Sequence, residues 1–171
     1  MPTLHLGIDV AKAKLDCALR RPDGKFKSKV VPNNLEGFKM LIAWLSKQEA
    51  TTARVCLEAT GVYGGAVAET LAAHGMTVSV INPAQIKAFG ASRLVRTKTD
   101  RVDARLIAEF CAERSPEPWQ APSPSEQALH AMVLRLEALQ TMRTQESNRL
   151  AVAREAVKPG IAEHIEWLDK Q

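Results

Sequence analysis

Short runs of apolar residues, some alternating with polar ones, fill the first thirty positions of the chain and are typical of β-strands. The pattern predicts strands at residues 4–9, 14–20 and 26–31, and the Pro-Asp-Gly-Lys sequence at 22–25 predicts a turn between the last two. Because the connections are short, we expect these strands to form a meander in one sheet.

Helical and strand patterns alternate from residue 33 onward. Asn33 or Asn34 is a suitable N-cap for a helix with apolar residues at helical spacing, and a buried strand is predicted at 54–59. A second helix is expected at 63–74, followed by a strand at 77–83. The apolar positions of the first helix are Leu35, Phe38, Leu41, Ile42 and Leu45.

A further helical pattern at about 101–113 completes the order of this part of the chain: three strands, then helix–strand–helix–strand–helix. Sequential strands of this kind pair in one sheet, and the intervening helices pack on its faces. The fold class predicted is therefore α/β, with a mixed sheet flanked by helices on both faces, as in ribonuclease H-like folds.

The remaining residues change character. Residues 115–125 contain four prolines and are expected to form a stiff, extended linker. Residues 125–157 contain neither glycine nor proline and predict one long helix, about 50 Å long at 1.5 Å per residue. Such a helix is too long to lie on so small a domain. We therefore expect a folded domain at 1–114, the linker, and a projecting coiled-coil stalk at 126–171.

Apolar residues occupy most of the two seam positions of a heptad repeat in the long helix, which predicts a homodimer or higher oligomer. Arg143 and Glu146 interrupt the rows and are expected to pair across the seam. Pro159-Gly160 is expected to end the helix, and a further domain is expected after Gln171. The apolar seam residues are Leu129, Met132, Leu136, Leu139, Leu150, Ala153 and Val157.

Composition is that of a globular protein, with 46% hydrophobic and 25% charged residues in a chain of 171. The net charge of +4 mildly favours an acidic partner such as nucleic acid. Cys17, Cys56 and Cys111 lie in apolar patterns without metal-ligand spacing and are expected to be reduced thiols. With no signal peptide and no membrane-spanning run, we expect a cytoplasmic protein that does not associate with membranes.

Four acidic residues are the candidates for metal binding and catalysis. Asp9 and Glu58 stand at or near the ends of predicted strands, and Asp100 and Asp103 are three residues apart at the start of a predicted helix. If the fold brings these carboxylates together, they bind divalent metal, the usual means of activating a nucleophile against a phosphodiester.

Each acid also has a purely structural interpretation. Asp9 alone could cap a turn, and Asp100 could be the N-cap of its helix, where Asp103 would add a favourable first-turn charge. Glu58 is harder to explain in this way, because the apolar residues before it make a merely solvated glutamate awkward. The helix-capping roles are compatible with metal binding, so all four remain candidates.

Basic residues cluster around the last two acids. Positive charge beside a carboxylate group suits a nuclease, because the metal masks the acids while the surrounding cations hold the nucleic-acid backbone. A solvated loop is the alternative for such a run. The candidate nucleic-acid-binding residues are Lys87, Arg93, Arg96, Lys98, Arg101 and Arg105.

Three segments, GIDVAKAKLD, LEATGVYG and VINPAQIKAFGASRLVRTKTDRVDARLIA, together with the long helix, resemble the N-terminal half of DEDD-type insertion-sequence transposases. Site-specific DNA invertases of the Piv type are related to that family. The resemblance covers essentially the whole chain, and the KTDRVDA segment with the preceding INPAQIKAF is its most specific part.

The resemblance implies a RuvC-like catalytic domain whose acidic tetrad holds Mg²⁺ (or Mn²⁺). Matched motif by motif, that tetrad falls on Asp9, Glu58, Asp100 and Asp103. It also implies a coiled coil leading to a second domain that contributes a nucleophilic serine, and a structured guide RNA that directs recombination. The function expected is therefore DNA cleavage and exchange during transposition, incomplete in this polypeptide because the serine motif is absent.

Three alternatives remain open at this point. A stand-alone metal-dependent nuclease or junction resolvase of the same fold would use a metal-bound water as its nucleophile. A sugar-kinase or actin-like ATPase domain also opens with an apolar strand ending in Asp, but Ala11 stands where a phosphate-binding glycine is expected. A catalytically silent, dimerising adaptor would bind nucleic acid without metal-dependent chemistry.

Overall fold

The first part of the chain forms five strands: β1 (His5–Val10), β2 (Lys14–Arg20), β3 (Phe26–Pro32), β4 (Arg54–Glu58) and β5 (Thr77–Ile81). The structure, a computed structural model, describes residues 4–58, 63–93 and 100–171, with the backbone alone for 100–102. The strands form one sheet in the order β3-β2-β1-β4-β5. β1, β2 and β3 pair antiparallel, whereas β4 is parallel to both β1 and β5.

The helices of this part are α1 (Leu35–Lys47), α2 (Gly65–Ala73), α3 (Pro83–Ser92) and α4 (Asp100–Arg114). α1 begins behind Asn34, whose side chain accepts a hydrogen bond from the Gly37 amide at 2.9 Å. This is the N-cap role for which asparagine is suited, because it satisfies an amide that has no partner within the helix.

The two faces of the sheet are covered by different helices. On one face, which we call the α1–α2 face, alternate strand residues such as Ile8, Leu15 and Leu57 pack with Leu41 of α1 and Leu71 of α2, and all are buried. On the other face, which we call the α4 face, a second apolar cluster joins β4 and β5 to α3 and α4. Its members are Cys56, Ile81, Ile86, Phe89, Leu106, Ile107, Phe110 and Cys111.

Helix α4 lies directly on β1 because residue 7 is a glycine. A Cβ atom at Gly7 would overlap the backbone of Ala104 and Ala108, so a larger residue would force the helix away from the strand. Farther along α4, the Cys111 thiol lies 3.7 Å from the carbonyl oxygen of Arg54, the first residue of β4. α4 therefore runs from the carboxyl ends of β1 and β4 towards their amino ends.

The mixed sheet and its flanking helices confirm the predicted fold class, but one helix was missed. No helix was predicted between residue 83 and about 101, whereas α3 occupies Pro83–Ser92. The Asn82 side chain accepts a hydrogen bond from the Ala84 amide at 2.8 Å, and Pro83 occupies the first turn. Asn-Pro is a helix-start signal here, because proline lacks an amide that the first turn would leave unpaired.

Residues that follow α4 are attached to the sheet. The Trp119 amide donates to the Val78 carbonyl at 2.7 Å, and the Pro116 carbonyl accepts from Arg54 and from the Ser79 hydroxyl. The Trp119 side chain packs against the core of the α1–α2 face. The chain forms two compact units, Met1–Gln120 and Ala121–Gln171.

The second unit contains α5 (Pro124–Val152) and α6 (Lys158–Asp169), separated by a 3-10 turn at Glu155–Val157. α5 begins with a reciprocal capping box between Ser123 and Glu126. The prediction of a helix continuing to Val157 and broken by Pro159-Gly160 is wrong. The helix ends at Val152, and Pro159 instead lies in the first turn of α6, where a proline is tolerated.

Helix α6 packs against α5 within this unit. Leu139 of α5 and Leu168 of α6 are both buried, and Arg143 pairs with Asp169 at 2.5 Å. Glu146 is buried beside Arg149, with the His164 ring 3.9 Å away. Both residues that interrupt the seam therefore have ionic partners in their own chain, where pairing across two copies was expected.

In the part of the chain that the structure describes, we find no helix that is long and apolar enough to cross a membrane.

Candidate metal and nucleic-acid site at the acidic end of the sheet

Asp9 and Glu58 lie on neighbouring strands at the same end of the sheet. Ile8 and Leu57 are register partners in the parallel pair of β1 with β4, and both side chains are buried in the α1–α2 face. Successive residues of a strand point to opposite faces, so the next residue of each strand, Asp9 and Glu58, lies on the α4 face. Each is partly buried.

The start of α4 reaches the same end of the sheet. Asp103 immediately precedes Ala104, the residue whose carbonyl lies against Gly7, and α4 runs away from this end towards Arg54. Asp100 is the first residue of α4, one helical turn before Asp103, but its side chain lies outside the described part. Three of the four predicted acids are thus brought to one end and one face of the sheet.

The chemistry of these donors suits a hard divalent cation, because carboxylate oxygens are the ligands that Mg²⁺ and Mn²⁺ prefer. Within residues 4–58, 63–93 and 103–171, no three acidic, histidine or cysteine side chains are close enough to hold an ion together. Asp9, Glu58 and Asp103 each take part in further polar interactions. The donor set therefore fits the ion in kind, and binding requires these side chains to turn towards a common centre.

A fifth acid lies at this end, and sequence reasoning missed it. Asp16 of β2 is the register partner of Asp9 and points to the same face, yet only 8% of its surface is exposed. Its carboxylate pairs with the Lys14 ammonium at 2.9 Å. No motif marks this register in the sequence: a tight turn, in which the Ala11 amide donates to the Lys14 carbonyl at 3.0 Å, pairs Val10 with Leu15 and hence Asp9 with Asp16. We call the end of the α4 face that bears Asp9, Asp16 and Glu58 the acidic end.

The predicted nucleic-acid-binding residues are distributed unevenly. Lys87 is exposed on α3. Arg93 is engaged within the fold, because it pairs with Glu109 and Glu113 of α4 and stacks on Phe89. Arg105 lies over the Phe26 ring of β3, with its centroid 5.4 Å from the guanidinium carbon. Arg96 and Lys98 lie outside the described residues, as does the side chain of Arg101.

The predicted seam residues also differ in exposure. Leu129, Met132 and Leu136 are 62%, 69% and 55% exposed, and they lie at helical spacing on one side of α5. Leu139 is buried in the packing of α6 on α5, and Leu150 is half-buried. Val157 is exposed but lies in the 3-10 turn beyond the helix. An exposed apolar stripe therefore lies on the first half of α5.

The three cysteines are buried free thiols, in keeping with the sequence-based expectation of reduced cysteines. Burial raises the pKa of the Cys17 thiol well above its usual range, so this thiol stays protonated. A protonated, buried thiol is not a metal ligand, since the thiolate is the coordinating form.

A five-stranded mixed sheet of this topology, with helices on both faces, has the RuvC-like variant of the ribonuclease H-like fold. The fold is similar to that of T. thermophilus RuvC in complex with a Holliday junction substrate, with a TM-score of 0.50 and 16% sequence identity. The similarity covers 68% of this chain and 99% of RuvC, and it concerns the fold alone.

Comparison of the sequence with known proteins identifies the family to which the chain belongs. Residues 6–156 match the transposase family DEDD_Tnp_IS110, and the chain belongs to that family, which confirms the resemblance. It is 33% identical over 135 residues to the pilin gene-inverting proteins of Moraxella bovis and Moraxella lacunata. The match covers 78% of this chain and 42% of each relative, so the chain spans less than half the length of these relatives.

Proposed function

We propose that the domain built on the five-stranded sheet is the metal-dependent catalytic domain of a DNA transposase, which cleaves and exchanges DNA strands during transposition in the cytoplasm. One observation supports the proposal: in a chain of the transposase family, Asp9, Glu58 and the start of α4 with Asp103 lie at the same end of one sheet face. Separate segments of sequence supply these acids, so their convergence is a property of the fold.

In the proposed mechanism, Asp9, Glu58, Asp100 and Asp103 hold one or two Mg²⁺ (or Mn²⁺) ions. When bound, such ions polarise a scissile phosphate and stabilise charge on the leaving oxygen. The protein's own contribution is to fix the donors: two sit on neighbouring strands of a rigid sheet, and the others on a helix held against β1 by Gly7. Carboxylates on such elements keep their positions better than carboxylates on loops.

Two elements of the proposal, the attacking nucleophile and a guide RNA, rest on membership of the transposase family. We propose that a serine from a second domain attacks the phosphate and that a structured RNA encoded by the element selects the DNA. The DNA backbone would meet the basic residues near α3 and α4, with Lys87 exposed and Arg96, Lys98 and Arg101 close in sequence to the acids. Because Arg93 and Arg105 have partners within the fold, we expect smaller contributions from them.

The proposal also includes dimerisation of the chain through α5. Leu129, Met132 and Leu136 form an exposed stripe, and a helix exposing such a stripe gains free energy by pairing in water. Light scattering on the 171-residue chain tests this: a dimer is expected, and Leu129→Glu with Leu136→Glu should give a monomer. Matched glutamates at the exposed positions Ala131 and Gln145, on the opposite side of α5, should leave the dimer intact. A wild-type chain that stays monomeric at high concentration would contradict dimerisation.

Calorimetric titration with Mn²⁺ tests the metal site. The wild-type chain should bind the ion, and Asp9→Asn and Glu58→Gln should each weaken binding by at least about tenfold, because each removes one donor and one negative charge. Glu36→Gln is the matched control, since Glu36 is an exposed carboxylate on α1, the helix of the opposite face. Equal affinities for all four proteins would remove the metal site from the proposal.

The stand-alone junction resolvase remains a second candidate because the fold is similar to that of RuvC. DNA products separate the two functions. The full gene product acting as a transposase should join element ends to target DNA, and Asp9→Asn should abolish the joined products. A resolvase would instead give symmetrical nicks in a four-way junction and no joined product.

A further inference from the structure

Basic side chains gather at the end of the α4 face that lies opposite the acidic end, and the proposed metal site does not use them. His5, Arg20 and Arg54 form a row across three strands, because His5 of β1 is the register partner of both arginines. The adjacent residue of each strand is buried in the α1–α2 face, so all three side chains lie on the α4 face. Each of them is partly buried.

Helix α4 brings a third guanidinium to this row. Phe26 of β3 is the register partner of Arg20, and such partners have Cβ atoms about 5 Å apart. The guanidinium carbon of Arg105 lies 5.4 Å from the centroid of the Phe26 ring. Stacking uses the flat face of a guanidinium and not the N–H donors, which lie in its plane. We call the end of the α4 face that bears His5, Arg20, Arg54 and the Arg105 guanidinium the basic end.

No acidic side chain neutralises the basic end within the described residues. Arg20 forms no ion pair or hydrogen bond there, and Arg105 forms only its stacking contact. Arg54 donates to the Pro116 carbonyl at 3.1 Å, which leaves its charge uncompensated. Burial, with Arg20 and Arg54 nearby, lowers the pKa of His5. Positive charges held together without a counter-charge favour a bound anion.

The acidic residues outside this group do not change that balance. Glu117 follows Pro116 and is exposed, but it forms no ion pair within the described residues. Asp100 is the only acid whose side chain lies outside the described part, and it begins α4, at the acidic end. The basic end therefore has no acidic partner of its own in the sheet or in α4.

A cavity lies between the two ends of the α4 face. Its volume is about 260 Å³, and its lining between the sheet and α4 includes Asp16, Ser28, Val30 and Ala104. Asp9 is four residues beyond His5 in β1, so the two ends are about 13 Å apart at about 3.3 Å per residue. That is the axial length of about four nucleotides in one strand of DNA. A DNA strand at the acidic end is thus long enough to reach the basic end within a few nucleotides.

We propose that the basic end binds a backbone phosphate of the DNA whose scissile phosphate lies at the acidic end, with Arg20 as the principal contact. An arginine can donate two parallel hydrogen bonds to one phosphate, which makes it well suited to this role. Arg54 lies beside it, and Arg105 contributes less because it is held on Phe26. The inference rests on the proposed function, because it takes DNA as the ligand of this face.

DNA binding by the 171-residue chain tests the contact, with a short fluorescein-labelled duplex as the probe. Arg20→Gln should weaken binding roughly tenfold and flatten the plot of log K against log salt by about one unit. Arg20→Lys keeps the charge, so it should keep the salt slope and lose only part of the affinity.

Arg21→Gln is the matched control. Arg21 is the next residue and is also partly buried, but its guanidinium donates to Gln48 at the end of α1, at 3.2 Å, on the opposite face. Arg21→Gln should leave both the affinity for DNA and the salt slope unchanged. Thermal melts establish that each variant is folded. If Arg20→Gln is not, Arg105→Gln decides, with an expected loss of about threefold.

Three results would overturn the inference. One is an unchanged salt slope in the folded variant, and another is an equal loss of affinity in Arg21→Gln. The third is loss of binding to inorganic phosphate with unchanged affinity for DNA, which would make the basic end a site for a small anion. Mn²⁺ binding that is normal in Arg20→Gln and weakened in Asp9→Asn would leave the proposed function standing in each case. A wild-type chain that binds neither Mn²⁺ nor DNA would overturn both proposals together.

Discussion

The two faces of the sheet are built from the same five strands but differ in what they bury. The α1–α2 face buries aliphatic side chains almost completely, with Leu6, Ile8, Leu15 and Leu57 at 0–1% exposure. The α4 face is apolar in its centre and polar at both ends, with Asp9, Asp16 and Glu58 at one. At the other end, His5 has Arg20 and Arg54 as its register partners.

The two faces therefore have different roles: the α1–α2 face mainly stabilises the fold, and the α4 face carries the candidate metal ligands. Close-packed aliphatic side chains supply most of the free energy of folding and tolerate little change in volume. Charged side chains at the ends of strands contribute little to stability, but a rigid sheet keeps them in place for a ligand. Substitutions on the two faces should therefore change different measured quantities, and the largest effects on unfolding should come from the α1–α2 face.

The largest expected effect is that of Leu15→Ala. Leu15 is fully buried in the α1–α2 face, and removing its methyl groups should lower the free energy of unfolding by about 2–5 kcal/mol. Val30→Ala is the control, because Val30 lies on neighbouring β3, faces the other side and is 54% exposed. It should change stability by less than about 0.5 kcal/mol. Similar losses in the two variants, measured by urea unfolding, would remove the distinction between the faces.

Gly7→Ala tests how α4 is seated on its face. The new Cβ would overlap the backbone of Ala104 and Ala108, and overpacking of this kind costs about 1–3 kcal/mol. Because α4 also carries Asp103, Mn²⁺ affinity should fall in the variant that still folds. Gly65→Ala in α2, where a Cβ meets nothing within 4 Å, should lower neither stability nor Mn²⁺ affinity. A Gly7→Ala protein with unaltered stability and Mn²⁺ affinity would contradict this packing.

The smallest expected effect on stability concerns His5, at the end of the α4 face opposite the acidic end. Burial, with Arg20 and Arg54 nearby, lowers the pKa of His5 below its ordinary value of 6.5. The folded protein therefore binds this proton less readily than the unfolded chain. His5 should favour folding above pH 6.5, and stability should fall as the pH drops below that value. The melting temperature should drop less on acidification in His5→Gln, and an identical pH profile would show that His5 does not contribute.

Local sequence signals predicted the strands from their short apolar runs, and α1 from apolar residues at helical spacing behind an asparagine cap. The start of the missed helix α3 is encoded in Asn82-Pro83, and proline at this position is equally compatible with the end of the preceding strand. Pro159 posed the same difficulty, because proline is found both after helices and in their first turn. In both cases proline lies in the first turn of a helix, a position that hydrophobic periodicity does not mark.

The candidate site was predictable only in part. Motifs identified Asp9, Glu58 and Asp103, and their common location depends on register and helix direction, which follow from the fold. Asp16 required the register of one hairpin, and the ion pairs of Arg93 required the packing of α3 on α4. A charged residue near a motif in sequence is therefore a weaker indicator of function than its partners in space.

A crystal structure of the 171-residue chain grown with Mn²⁺ tests the central claim most directly, because the ion is located by its anomalous scattering. The account predicts a peak at the acidic end of the α4 face, with carboxylate oxygens of Asp9 and Glu58 as ligands and Asp103 or Asp100 completing the set at about 2.1–2.3 Å. An ion held elsewhere, or no ion at this end at saturating Mn²⁺, would contradict the assignment of this end as the catalytic centre.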